Sequence, residues 1–192
     1  MRMGSEWGAM LVAVAVTAGA TGAVVTAQAP APKTYTATAT VKTAGGATIS
    51  APVTVTISRW TTDAERTTAL AALKKGDAAL KTALAAMPAT GTIQVGGRST
   101  PLHFARTLDT GGGTLVTVLA AQPIVYLGAG VPEQKAKTGY EFAFATFEVD
   151  AKGKGTAGDL APAAKVKLGP GDAVVVDDYG VEAVRLTAIS SK

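Results

Sequence analysis

The chain predicts an α+β fold, mainly β: an antiparallel sandwich or partly closed barrel with a helical pair at about residues 62–87. Three observations predict it. Residues 34–42 and 52–60 alternate apolar and polar side chains, the period of a half-buried strand. Residues 62–65 spell a helix start, and from Gly91 onward short alternating runs are separated by glycine-rich turns.

In the first run Tyr35, Ala37, Ala39 and Val41 share one face and threonines take the other. A turn at Gly45-Gly46 leads to Val53, Val55 and Ile57, so the two runs form a hairpin. Thr62-Asp63-Ala64-Glu65 is a capping box, in which hydroxyl and carboxylate satisfy orphan backbone donors at a helix start. That helix turns Leu70 and Leu73 inward and ends at Lys74-Lys75-Gly76, with cations at the negative end of the dipole and a glycine beyond. Asp77 caps a second helix carrying Leu80 and Leu84 on one face until Pro88 stops it; one long kinked helix is the alternative.

Strand patterns follow at residues 92–95, 102–108, 114–121, 124–127, 140–149, 164–168, 172–176 and 181–189. Turn chemistry separates them at residues 96–97, 111–113, 128–132, 153–158, 169–171 and 178–180. Sequential short strands with tight connections argue for an antiparallel sheet.

Residues 9–25 are apolar apart from small Gly and Thr, and follow Arg2, Glu6 and Trp7. This is the pattern of a secretory signal peptide, and Val25-Thr26-Ala27 places cleavage between Ala27 and Gln28. An uncleaved membrane anchor is the competing reading, weakened by Thr17, Gly19, Thr21 and Gly22 inside the run. The chain then divides into a signal peptide (1–27), a Pro/Ala lead-in (28–33) and a single β-rich domain (34–192), periplasmic or extracellular.

The 47% apolar content suits a globular core, and with only 17% charged residues the composition argues against intrinsic disorder. A net charge of +4 with no basic run longer than Lys74-Lys75 gives no nucleic-acid footprint. With no cysteine, neither a disulfide nor a lipid-modified cysteine is available, so the core alone must hold the fold.

The stretch Leu73-Lys74-Lys75-Gly76-Asp77-Ala78-Ala79-Leu80 through Met87-Pro88 carries a wider pattern with Tyr140-Glu141-Phe142-Ala143-Phe144, Val149-Asp150, Gly153 and Gly155. Together with Tyr179-Gly180-Val181-Glu182-Ala183-Val184-Arg185-Leu186, they resemble a group of exported bacterial proteins of unknown function. The resemblance covers roughly residues 60–190, mostly turn and core positions, and implies an exported domain with a helical insert followed by sheet. It implies no activity, ligand or catalytic residue.

His103 is the one histidine, and Ser99 and Asp109 lie close in sequence, so a nucleophile, base and orienter can be drawn from them. No Gly-x-Ser-x-Gly elbow surrounds Ser99, and a surface or core histidine is the simpler reading. Zinc through nitrogen and sulfur is excluded by the same counts. Oxygen ligands remain: Asp172, Asp177, Asp178 and Glu182 gather near two turns, where solvated turn carboxylates are the plainer reading. The Asp150 loop departs from a calcium loop because Lys152 and Lys154 stand where further acidic ligands belong.

Gly111-Gly112-Gly113 lacks the Lys-Ser/Thr and helix of a phosphate cradle and reads as a hairpin turn. Tyr140, Phe142 and Phe144 recur at period two and either line a ligand groove or fill a core.

The sequence therefore favours an exported non-enzymatic domain with a binding or structural role in the bacterial cell envelope, meeting an envelope protein or a small ligand. No cofactor, nucleic acid or stable membrane insertion after cleavage is implied. The alternatives are a hydrolase with a Ser/His or carboxylate site, and an outer-membrane β-barrel, which the helical pair, 5% aromatic content and polar C-terminus oppose.

Overall fold

A computed structural model describes residues 31–42, 48–128, 133 and 137–192. The expected signal peptide, the first half of the lead-in, the Gly45-Gly46 turn and most of the 128–132 turn lie outside the described residues. The strands are β1 (Lys33–Lys42), β2 (Thr48–Ile57), β3 (Gly91–Val95), β4 (Arg98–Leu102), β5 (Phe104–Asp109) and β6 (Thr114–Ala120). They continue as β7 (Phe142–Val149), β8 (Lys154–Leu168), β9 (Val174–Tyr179) and β10 (Val184–Ser191). Two helices, α1 (Asp63–Leu73) and α2 (Asp77–Ala86), intervene between β2 and β3.

All pairings are antiparallel, in the order β4-β3-β2-β1-β10-β8-β7-β6-β5. Because β4 runs directly into β5, the two ends of this path are halves of one chain segment, and the sheet curls into a nearly closed barrel. The segment pairs with β3 through residues 98–102 and with β6 through residues 104–109. At the switch the His103 N–H donates to the Leu119 carbonyl, while Phe104 stands opposite the same Leu119. Two residues against one is a β-bulge, the usual device for turning a strand at a barrel corner. The expected single strand at 102–108 is thus broken at His103.

Alternation decides what faces inward. Tyr35, Val53, Val55, Ile93, Val116, Val118, Phe147, Leu160 and Leu186 fill the barrel, and the Tyr35 and Phe147 rings meet edge to face at 5.0 Å. Exposed or half-exposed polar residues such as Thr36, Thr54, Gln94 and Arg185 stand on the outside. Along β1, β2, β3 and β10 an apolar interior thus meets a polar outer face, the reverse of the polarity of a membrane barrel.

The helices cover part of that wall. Leu70, Leu73, Leu80 and Leu84 pack onto Phe104, Leu119, Phe142 and Phe144, which point outward from β5, β6 and β7. The capping box is present: Glu65 N–H donates to Thr62 Oγ1 at 3.2 Å and Thr62 N–H to Glu65 Oε2 at 2.8 Å. Arg59 grips the same carboxylate with two bonds of 2.9 and 3.0 Å and also donates to the Pro88 and Ala89 carbonyls. It fastens both the entry to α1 and the exit from α2 to the barrel. Gly76, not Asp77, is the N-cap of α2, with φ of 112°, a conformation that L side chains rarely adopt.

One further strand expectation and one turn expectation fail. Residues 124–127 form no strand; Ile124 and Leu127 are buried in the barrel core, so their apolar pattern records burial without pairing. Residues 153–158 are not all turn, because β8 already begins at Lys154. Gly155 and Gly158 sit inside that strand where the neighbouring strand comes close: a Cβ on Gly155 would lie 2.2 Å from the Glu148 carbonyl oxygen.

Candidate functional site

Strand β8 is long enough to serve two neighbours on one edge. Its first half pairs with β10, from Leu160 back to Lys154. Its last residues, 164–168, pair with β9, and its register against β7 shifts between Phe142 and Phe144. The chain bends there, and the β8–β9 ribbon leaves the barrel path. Its tip, a 3-10 turn at Pro170–Asp172, is held to α1 by Arg66, which donates to the carbonyls of Gly171 and Asp172.

Between this ribbon and the barrel wall lies a cleft of about 360 Å³. Its floor is the part of the wall that the helices leave uncovered: Leu115 and Thr117 on β6, Thr146 on β7 and Asp159 on β8. Phe144 and Ala161 close its inner end, under the helical cluster. Ala173, Val174, Val175 and Val176 form one side, with Tyr179 further along. Consecutive residues of a strand point to opposite faces, so Val174, Val175 and Val176 all lining one cleft means that β9 turns its edge to it. β8 holds the other edge of β9, and no other strand pairs with it among the described residues.

The cleft is apolar with polar margins. Asp159 is paired with Arg185 at 3.0 Å on the neighbouring β10. Asp177 pairs with Lys167 at 2.8 Å. Asp178 accepts from the Tyr140 hydroxyl, which holds the carboxyl below its ordinary range and pushes the phenol up. The Tyr140 ring lies against Gly180, where a Cβ would fall 2.6 Å from it, and the Lys165 ammonium stands 5.0 Å from its centre.

The residues singled out from sequence are scattered. Ser99 and His103 belong to the same extended segment four positions apart, roughly 13 Å along a strand. Asp109 lies further on and accepts from the Gly111 N–H in the hairpin turn. His103 Nδ1 is buried without a hydrogen-bond partner, and burial lowers its pKa. No Ser/His/Asp constellation is assembled from these three.

Asp172, Asp177, Asp178 and Glu182 do not converge, and no group of three or more His, Asp or Glu side chains arranged to hold a metal occurs among the described residues. The Asp150 carboxylate accepts the N–H groups of Lys152 and Lys154, forming the turn itself.

Of the aromatic stripe, Phe142 is wholly covered by the helices and only Phe144 reaches the cleft. Tyr140 precedes β7 and belongs to the Asp178 cluster instead. The stripe is core rather than an open groove. Leu115, Thr117, Thr146 and the edge of β9 were not singled out from sequence, because alternation tells which face a residue takes but not which part of the outer wall stays uncovered.

No family model matches the chain, and neither a curated protein nor a solved structure was found similar to it.

Proposed function

We propose that this protein is an exported, non-enzymatic binding module of the bacterial cell envelope, and that the cleft between β9 and the outer wall of the barrel is its ligand surface. The observation that carries the reading is a mostly apolar cleft in which Leu115, Phe144 and Ala161 face an unpaired strand edge. Pockets that bind ligands are concave and mostly apolar with a few placed polar groups, roughly 300–1,000 Å³ in volume, and the cleft stands at the small end of that range. Three further features support it. The barrel interior is occupied by its own side chains. The candidate catalytic groups lie apart. The apolar leader and the absence of cysteine suit a domain that works outside the cytoplasm on core packing alone.

The test is titration with the neutral dye Nile red. The protein should bind it with a blue shift in emission. Thr146→Trp, which fills the floor, should abolish the shift, and Thr54→Trp on β2, remote from the cleft, should keep it. Equal binding by both variants, with native circular dichroism, would place the apolar surface elsewhere and overturn the reading.

A further inference from the structure

The chemistry of the cleft wall identifies the class of ligand more closely, an inference that rests on the cleft being the binding surface. A strand edge offers a row of backbone N–H and C=O groups, and the group that satisfies such a row is another extended backbone. A compact apolar molecule could fill the floor but would leave that row to water. The segment carrying that edge is acidic, and because Asp177 on β9 is paired with Lys167 and Asp178 is bonded to Tyr140, its unpaired acids lie at the two ends. Residues 169–184 contain Asp172, Asp177, Asp178 and Glu182 and no Lys or Arg, in a chain of net charge +4. Asp172 and Glu182 are exposed and make no ion pair among the described residues, and Arg66 beside Asp172 is turned to backbone carbonyls.

From these observations we propose that the ligand is an extended segment of a partner protein that adds to β9 as a further strand, with apolar side chains against Leu115, Phe144 and Ala161 and Lys or Arg at its flanks. A second copy of this chain fits poorly, because pairing β9 with β9 would set two acidic segments against each other.

Peptide binding to the isotopically labelled protein tests this. Three blocked heptapeptides of alternating Val and Thr are compared: one with Lys at both ends, one with Glu at both ends, and the Lys-ended peptide methylated at alternate backbone nitrogens. The Lys-ended peptide should shift the amide resonances of residues 173–179 and bind at least about tenfold more tightly than the Glu-ended one, and methylation should remove its binding. Nile red binding with no peptide binding, or equal binding by the methylated peptide, would overturn strand addition while leaving the cleft as the ligand surface. If neither dye nor peptide perturbs the cleft resonances, both readings fall.

Discussion

His103 donates its backbone N–H to the Leu119 carbonyl at 3.0 Å at the point where one chain segment leaves β3 and joins β6. The barrel closes through this bond and the bulge beside it. The imidazole there is partly buried with Nδ1 unpartnered, and burial holds its pKa below the ordinary 6.5.

Stability should therefore depend on this one histidine in a defined sense. Below about pH 6.5 the unfolded chain takes up a proton that the folded chain resists, so the contribution of His103 is complete above that pH. It is lost as pH falls toward the folded value. Urea midpoints between about pH 7.5 and about pH 5 should fall more for the native protein than for His103→Gln. The difference between the two isolates His103 from Asp77, whose pKa is raised by burial and whose linkage has the opposite sign. Parallel curves would show that the imidazole is solvated in the folded state.

Ala188 in β10 has φ of 51°, a left-handed conformation that a Cβ disfavours, and sits where the register against β1 shifts by one residue. Glycine accepts this conformation freely, so Ala188→Gly should raise stability by about 0.5–1 kcal/mol even after its greater unfolded entropy is counted. Thermal denaturation reads the change. A loss of stability would mean that the Ala188 methyl makes contacts worth more than the strain.

Gly155 presents the opposite case. Its Cβ would meet the Glu148 carbonyl oxygen at 2.2 Å and Ile189 Cβ at 3.2 Å, so Gly155→Ala must separate β8 from its neighbours. The expected cost is about 2–3 kcal/mol in denaturant unfolding. Gly112→Ala, in a turn with nothing within 4 Å, should stay near neutral. Equal effects would mean that the strands are not packed as described.

These glycines also explain what the sequence could and could not disclose. The hairpin of β1 and β2, the capping box and the inward leucines of α1 and α2 follow from local periodicity and spacing, and all appear in the fold. Gly153 is a true turn glycine, with φ of 74°, but Gly155 and Gly158 read as turn chemistry because a glycine required by a close strand crossing has the same letter as one required by a reversal. Ile124 and Leu127 read as strand because burial without pairing leaves the same apolar trace. Nothing local marks the segment of residues 98–109 as the one that joins both ends of the sheet. The cleft was illegible for a related reason: Leu115 and Thr146 are ordinary outward residues until the helices cover Phe142 and leave them bare.

The proposal of export rests on the N-terminal apolar run. The native product should begin at Gln28, and mass spectrometry of protein recovered from the envelope or medium checks it. A product that retains Trp7 would mean that the leader stays attached as an anchor.

Recognition on the outer wall beside β9 is the proposal on which the ligand class depends. Site-directed photo-crosslinking in the native host tests it most directly, with a photoreactive phenylalanine analogue replacing Leu115 on the cleft floor or Thr54 on β2. A ligand seated in the cleft gives a discrete adduct from position 115 and none from position 54. Adducts from position 54 alone, or equal labelling at both, would contradict it.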